Sequence, residues 1–135
     1  TDADAGILCA AVADFTPDHT ADHKIKRGKD GMTIQLKPTK DIAASLGATK
    51  KEGQVLVGFA LETNDEQQNA KGKLERKNFD FIVLNSLNDK GAGFRVDTNK
   101  ISIIDRQDTT SYPLKNKSEV AKDIIDRLVQ TLNKN

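Results

Sequence analysis

Apolar and polar positions alternate along the chain in blocks that predict several short strands and three helices. The residues from Ile7 to Ala13 form an unbroken apolar run that stops at Asp14. A run of this length, followed soon by Pro17, predicts a strand buried on both faces of a parallel sheet, although its alanines also allow a helix. Val55–Leu61 is a second run of the same form and stops at Glu62. We therefore expect two buried strands that each end at a carboxylate.

Other segments have the period of strands that are buried on one face. Apolar and polar residues alternate over Met32–Leu36, which predicts a half-buried strand after a polar loop that spans Thr16–Asp30. Phe79–Leu84 predicts another strand. Phe94–Val96 and Ile101–Ile104 flank a short polar stretch, and this arrangement predicts a β-hairpin.

Three segments have the features of helices. A short helix is predicted over Asp41–Leu46 and is expected to end at Gly47. A second helix runs through Ala70 to about Arg76, and a third closes the chain with one apolar stripe that predicts a core-facing side. Strands that alternate with helices indicate an α/β fold with a mainly parallel sheet. The candidate caps are Asn64 or Asp65 for the second helix and Ser118 for the third, and the stripe consists of Val120, Ile124, Ile125, Leu128, Val129 and Leu132.

Composition narrows the class of protein. The chain has 135 residues, a length that suits one domain, and its 21 Lys and Arg residues nearly balance its 20 Asp and Glu residues. This balance argues against general attraction to nucleic acid or membrane surfaces. Cys9 lies inside the first apolar run, so we expect a buried thiol and a reducing cytoplasm. Because the chain opens at Thr1 and enters a buried strand at once, we expect a piece of a longer polypeptide.

Clustered lysines are the candidate chemistry. Lys24 begins a basic strip that follows the first strand, and Lys73 and Lys77 lie four residues apart after the second. Ligands of open α/β sheets bind beyond the carboxyl ends of the strands, so both groups could reach one anion, although ordinary solvated lysines remain the alternative. His19 and His23 have no third ligand at a credible spacing, so no metal site is predicted.

Four motifs together resemble one enzyme family. They are Ala-Ala-Val-Ala-Asp-Phe at Ala10–Phe15, Lys-Ile-Lys-Arg at Lys24–Arg27, Val-Gly-Phe-Ala-Leu-Glu-Thr at Val57–Thr63, and Lys-Leu-Glu-Arg-Lys-Asn-Phe-Asp at Lys73–Asp80. In order and spacing they are similar to phosphopantothenate–cysteine ligase, and the resemblance covers nearly all of the chain. Departures are small: the family commonly has alanine where Leu61 stands and lysine where Arg27 stands.

The resemblance implies a ligase of coenzyme A biosynthesis. In that reaction the carboxylate of 4′-phosphopantothenate attacks the α-phosphate of CTP, pyrophosphate leaves, and cysteine then displaces CMP from the acyl-cytidylate. Mg²⁺ normally accompanies the nucleotide. Some relatives use ATP, and no residue in this sequence distinguishes the two bases. The other open interpretation is a non-catalytic nucleotide-binding or interaction module of the same fold.

The family's nucleotide contacts transfer to twelve positions. The resemblance implies backbone contacts at the first strand, a ribose or base contact from Asp14, and an apolar wall from Phe59. Lys24, Lys73 and Lys77 would neutralise phosphate charge, and Lys24 would also be catalytic, from a loop that orders on binding. The implied nucleotide-binding residues are Leu8, Cys9, Ala10, Asp14, Lys24, Lys40, Asp41, Ile42, Ala43, Phe59, Lys73 and Lys77.

The resemblance also implies an architecture. Residues 1–135 would form the carboxy-terminal part of the ligase domain, a Rossmann-like sheet with a small antiparallel extension that makes a homodimer. In bacteria the ligase is usually fused to a flavin decarboxylase. The dimer is expected through Met32–Leu36 and Phe94–Ile104, with packing onto the chain's own sheet as the alternative. The family's glycine-rich first strand–loop–helix precedes the first motif and is absent here, so the piece by itself is expected to be inactive.

Overall fold

A computed structural model describes residues 2–29, 31–62, 64–86 and 96–134. The chain forms two compact units, a larger one from residues 1–9 and 43–135 and a smaller one from Ala10–Ile42. Within the described ranges, no helix combines the length and the apolar character that crossing a bilayer requires.

In chain order the elements are β1 Ala5–Leu8, β2 Phe15–Pro17, β3 Leu36–Pro38, α1 Ile42–Thr49, β4 Val55–Glu62, α2 Glu66–Arg76, β5 Phe81–Ser86, β6 Thr98–Asn99, β7 Ile101–Asp105, β8 Thr109–Ser111, β9 Lys115–Asn116 and α3 Lys117–Leu132.

A five-stranded sheet forms the centre of the larger unit. Its strand order is β1-β4-β5-β7-β8. The pairs β1–β4 and β4–β5 are parallel, while β7 is antiparallel to both β5 and β8. Helices connect or flank the parallel strands, so the predicted α/β class with parallel core strands is confirmed.

Successive residues of β4 face opposite sides of this sheet and pack into two apolar clusters. Val55 and Val57 pack with Val120 and Ile124 of α3 on what we call the α3 face. Leu56 and Ala60 pack with residues of α2 on what we call the α2 face. Because both faces are covered, the central strands carry the near-continuous apolar run that the sequence shows. The predicted limits of this strand are confirmed to within one residue.

The first strand is shorter than predicted. β1 ends at Leu8, which pairs with Gly58, and β4 continues for four residues beyond that point. The prediction that this strand extends to Ala13 is therefore wrong. Cys9 is exposed, so its predicted burial is wrong as well. The strand ends at Leu8 because its pairing with β4 stops at Leu8 and Gly58.

Helix ends also differ from the sequence pattern. Gly47 lies inside α1, which continues to Thr49, because its missing side chain makes room for a neighbouring segment. α3 begins at Lys117 rather than after Ser118. Its amino end is closed by Glu119, whose carboxylate accepts the backbone N–H of Asn116 at 3.2 Å. The predicted limits of α2 are confirmed. Asp65 is at its N-cap position, but its backbone is left-handed (φ 44°) and its side chain makes no capping hydrogen bond, so the predicted cap is wrong.

The apolar stripe of α3 is only partly a core face. Val120 and Ile124 are buried, and Leu128 and Leu132 pack against the same cluster. Ile125 and Val129 are exposed, contrary to the prediction. A helix that packs against one sheet buries only a narrow stripe of its surface, and the six apolar residues together span a wider stripe than that.

The predicted hairpin is replaced by a different pairing. Ile101–Asp105 is a strand of the main sheet between β5 and β8, and its isoleucines are buried there. Phe94 and Arg95 of the predicted partner strand lie outside the described residues. Thr98–Asn99, expected in the turn, instead pairs with Lys115–Asn116. The strand predicted over Phe79–Leu84 begins two residues later, at Phe81.

The smaller unit contains a two-stranded antiparallel ribbon, β2–β3. The half-buried strand predicted over Met32–Leu36 is wrong, because β3 begins only at Leu36 and all three apolar side chains of that segment are exposed. Other large apolar residues of this unit, among them Phe15 and Ile25, are also more than half exposed. The ribbon therefore has much apolar surface that its own described residues leave uncovered.

Candidate functional site

The carboxyl end of β1 and the first turn of α1 place two predicted nucleotide contacts on one face of the sheet. Leu8 is the last residue of β1, and Ala43 lies in the first turn of α1. Both pack against the cluster of the α2 face. Phe59 of β4 is half-buried but packs against the cluster of the α3 face. The structure therefore brings Leu8 and Ala43 to the same cluster and places Phe59 on the other side of the sheet.

The most defined polar contact at this end of the sheet joins Lys73 of α2 to Glu62, the last residue of β4. The Lys73 ammonium donates to Glu62 Oε1 at 3.1 Å. The Glu62 side chain is 17% exposed and the Lys73 side chain 36%, so the lysine is the more exposed partner of the pair. One cation is thus fixed where α/β sheets bind their ligands and stays open to solvent.

Lys77 lies just past the last turn of α2. Its backbone N–H donates to the Lys73 carbonyl at 3.0 Å, and its side chain is half-buried. Lys77 is the C-cap residue, one position past the last residue of α2, and the helical spacing between it and Lys73 is kept by this backbone hydrogen bond. Whether the two side chains reach one anion remains a prediction.

Cys9 follows Leu8 directly and is exposed. Its thiol is therefore open to water at the carboxyl end of β1. The predicted backbone contact of Leu8, Cys9 and Ala10 with a nucleotide remains a prediction.

In the smaller unit, the start of β2 and the residues after β3 are tied together. The Asp14 carbonyl accepts the backbone N–H of Thr39 at 2.9 Å, and the Ala13 carbonyl accepts the Thr39 hydroxyl at 2.6 Å. Because Lys40 follows Thr39, these bonds bring the predicted contacts Asp14 and Lys40 close in space. Both side chains are exposed.

The other predicted contacts of the smaller unit are also on its surface. Lys24 is exposed in the segment between β2 and β3. Ala10 and Asp41 are exposed, and Ile42, the first residue of α1, is 48% exposed. Surface placement suits contact with a ligand, and the role of each remains a prediction.

Metal ligands do not gather in the part of the chain that the structure describes. No group of three His, Cys, Asp or Glu side chains lies close enough to hold an ion there. His19 is instead 3.2 Å from the Asp18 carboxylate beside it, which also lies 3.4 Å from Lys37.

Sequence reasoning missed Glu62 as a site residue. The sequence showed it as the carboxylate that ends a buried strand, and it showed Lys73 as a lysine of the following helix. A strand and the helix after it lie side by side in an α/β fold, so opposite charges at these positions were a readable signal.

A cavity of about 410 Å³ lies at the other end of the sheet. It is lined by residues at the amino ends of β1 and β4 and the carboxyl end of α1, including Ala5, Leu46 and Lys50. The Lys50 ammonium is already engaged by both carboxylate oxygens of Asp80, at 3.0 and 2.9 Å. The cavity is thus separate from the predicted contacts.

Comparison with known proteins gives consistent matches. Residues 1–132 match the family described as the DNA/pantothenate metabolism flavoprotein C-terminal domain. The chain is 45% identical over 126 residues to the coenzyme A biosynthesis bifunctional protein CoaBC of Bacillus subtilis (strain 168), an alignment that covers 93% of this chain and 31% of that protein. It is 60% identical over 127 residues to a cysteine/cysteine sulfinic acid decarboxylase of an unknown prokaryotic organism, covering 93% of this chain and 35% of that protein.

A solved structure supports the fold. The C-terminal domain of a coenzyme A biosynthesis bifunctional protein CoaBC is 30% identical, with a TM-score of 0.76 and coverage of 99% of this chain and 57% of that one. The chain therefore spans about a third of the length of the curated relatives it matches and just over half of this solved domain.

Proposed function

Because this chain belongs to the family of the DNA/pantothenate metabolism flavoprotein C-terminal domain, we propose that it is part of a phosphopantothenate–cysteine ligase of coenzyme A biosynthesis. The proposed reaction joins 4′-phosphopantothenate to cysteine and consumes CTP. The 45% identical CoaBC relative supports this assignment, because its name places it in coenzyme A biosynthesis.

The observation that carries the proposal is the position of Lys73. Its ammonium is held at the carboxyl end of β4 by Glu62, and its side chain is 36% exposed. A solvent-accessible cation at that end of an α/β sheet is suited to a phosphate group of a ligand. The four sequence motifs of the ligase family, which include this lysine, supply the identity of that ligand as a nucleoside triphosphate.

The proposed chemistry has two steps. A carboxylate oxygen of 4′-phosphopantothenate attacks the α-phosphorus of CTP, the bond from that phosphorus to the β-bridging oxygen breaks, and pyrophosphate leaves. The cysteine amine nitrogen then attacks the acyl carbon, the carbon–oxygen bond to the nucleotide breaks, CMP leaves, and the amine gives up a proton. Negative charge grows on the leaving pyrophosphate in the first step, so a fixed lysine ammonium lowers the barrier there.

The chain's own residues would divide this work. Lys73 and Lys77, at the end of α2, are proposed to neutralise phosphate charge, and Lys24 is proposed as a separate catalytic cation. Phe59 is proposed as the apolar wall of the nucleotide site. Leu8, Cys9 and Ala10 would offer backbone groups, and Asp14, Lys40, Asp41, Ile42 and Ala43 the remaining contacts. When bound with the triphosphate, Mg²⁺ would supply further neutralisation of its charge.

Several wider features belong to the same proposal. The family resemblance supports a cytoplasmic homodimer, and the bifunctional relative supports a fused decarboxylase domain in the parent protein. The nucleotide is proposed to be CTP, with ATP as the alternative that an assay must separate.

The 60% identical relative favours a second candidate function, because its name gives decarboxylation of cysteine or cysteine sulfinic acid. Decarboxylation consumes no nucleotide and releases no pyrophosphate. It would leave the fixed ammonium of Lys73 without a phosphate to bind. The two candidates therefore differ in their products.

The test uses the complete gene product with 4′-phosphopantothenate, cysteine, Mg²⁺ and either CTP or ATP. The proposal expects pyrophosphate and phosphopantothenoylcysteine, detected by a coupled assay and by mass, and Lys73→Met should slow both at least about tenfold. Lys71→Met, which changes an exposed lysine of the same helix, is the matched control. Release of CO₂ from cysteine or cysteine sulfinic acid without any pyrophosphate would overturn the proposal and favour the second candidate.

A further inference from the structure

Glu62 is a carboxylate at the place where the proposed function puts a polyanion. It is the last residue of β4, two positions after Ala60, so it extends from the strand toward the α2 face. There it accepts a hydrogen bond from Lys73 at 3.1 Å. A negative charge beside a triphosphate weakens binding unless it does something else for the site.

The geometry of the pair indicates what that role is. A lysine side chain is long and flexible, and its ammonium has three donors. Glu62 occupies one donor and restricts the stem, and in the part of the chain that the structure describes the other two donors point to no second carboxylate and can meet phosphate oxygens. The Lys73 side chain is 36% exposed, and a single ion pair with one partner this open to water adds little to folding stability.

We propose that Glu62 is the positioning residue of Lys73 and holds its ammonium at the carboxyl end of β4 for a nucleoside triphosphate. This inference rests on the proposed function for the identity of the ligand. Glu62 does not touch the reacting atoms. It acts by restricting the conformations of the Lys73 side chain before the triphosphate binds, so less conformational entropy is lost on binding.

Two substitutions separate positioning from charge. Glu62→Ala removes the acceptor, whereas Glu62→Gln keeps a side-chain oxygen that can accept from the ammonium. Loss of one hydrogen bond predicts a rise of about 3–10-fold in the triphosphate KM for Glu62→Ala. Glu62→Gln is expected to restore most of that loss, and the KM for cysteine is expected to stay unchanged in both variants.

A double-mutant cycle tests whether the effect passes through Lys73. In a Lys73→Met background, Glu62→Ala should produce no further change in triphosphate KM, since the group that it positions is gone. Asp123→Ala is the matched control, because Asp123 is 19% exposed and pairs with Lys115 in the same way, at 2.7 Å. It should leave the triphosphate KM at the wild-type value. An equal effect of Glu62→Ala in both backgrounds, or a lower KM in Glu62→Ala, would overturn the inference.

Direct titration of the complete gene product with CTP and with ATP keeps this inference separate from the proposed function. If triphosphate binds and the Glu62–Lys73 cycle shows coupling while no pyrophosphate is released, the positioning role stands and the ligase assignment fails. If neither triphosphate binds, the positioning role is overturned as well.

Discussion

Gly47 of α1 lies directly against the main-chain carbonyl of Lys77 at the end of α2. A Cβ atom built at Gly47 would stand 2.0 Å from that oxygen and 2.8 Å from its carbon. The contact is reinforced by Asn78, whose side-chain amide donates to the Gly47 carbonyl at 3.0 Å. The close approach of two backbones explains why a glycine occupies the interior of a helix.

Gly47→Ala is expected to destabilise the protein by about 1–3 kcal/mol, because the backbone of Lys77 has to move to accept the new methyl group. Alanine would otherwise favour the helix by about 1 kcal/mol. Urea unfolding of the two proteins measures the difference. Gly31→Ala is the control, since a Cβ at Gly31 meets no atom within 4 Å. A Gly47→Ala protein as stable as the wild type would contradict the contact.

The interactions of the Asp105 carboxylate should make the protein less stable in acid. Burial raises the pKa of its carboxyl, but the backbone N–H groups of Asp108 and Gln107 and the guanidinium of Arg127 outweigh burial and lower the pKa overall. A carboxyl whose pKa is lower in the folded state stabilises the protein at pH values above its ordinary pKa of about 3.9. This contribution is lost as the pH falls through the folded-state pKa.

Asp105→Asn should therefore cost about 1–2 kcal/mol of unfolding free energy at neutral pH and much less near pH 3. Urea midpoints of wild type and variant at the two pH values give the comparison. Asp126→Asn, at an exposed position of α3, should behave like the wild type throughout. The idea fails if the gap between Asp105→Asn and wild type is the same at both pH values.

Lys24→Gln should slow the proposed ligase reaction. The substitution keeps side-chain length and removes one charge-assisted contact to the nucleotide or the activated intermediate, which is worth about 1.5–3 kcal/mol, or ~10–150-fold in rate. Pyrophosphate release and product formation measure the two half-reactions. Lys29→Gln changes another exposed lysine of the same segment and is expected to have little effect. Wild-type rates of both half-reactions in Lys24→Gln would refute a catalytic role.

A homodimer is expected through the smaller unit. Ile101, Ile103 and Ile104, part of the predicted dimer surface, are buried in the chain's own sheet and are not available. Met32 and Ile34 remain, 65% and 57% exposed.

The double substitution Met32→Asp and Ile34→Asp should convert the dimer to a monomer by light scattering at micromolar concentration, because charges in an apolar interface lose their hydration. Ile125→Asp, at an exposed position of α3, is the control and should stay dimeric. A monomeric wild-type protein would count against the interface.

The sequence was most informative where local pattern and burial agree. The run Val55–Leu61 is apolar throughout because β4 has neighbours on both sides and a helix layer on each face. The limits of such a strand can be predicted from the sequence, because the first polar residue marks its end. The limits of helix α2 were equally readable, although Asp65 at its N-cap position makes no capping hydrogen bond through its side chain.

Local pattern failed where a distant segment decides the outcome. The apolar run from Ile7 continues past Leu8, but strand β1 ends where its pairing with β4 ends. Nothing in the run itself records that pairing. The same is true of Ile101–Ile104, whose alternation suits a hairpin and whose burial is decided by β5.

Residue types and their spacing were enough to predict the α/β class, the buried strand that ends at Glu62 and a set of lysines in the motifs of a ligase family. Only the tertiary structure decided that Glu62 and Lys73 form a pair and that Phe59 faces away from Leu8. A strand sends successive side chains to opposite faces, and a hydrogen bond needs two atoms within about 3 Å. Both conditions are set by how the strands and helices pack in three dimensions.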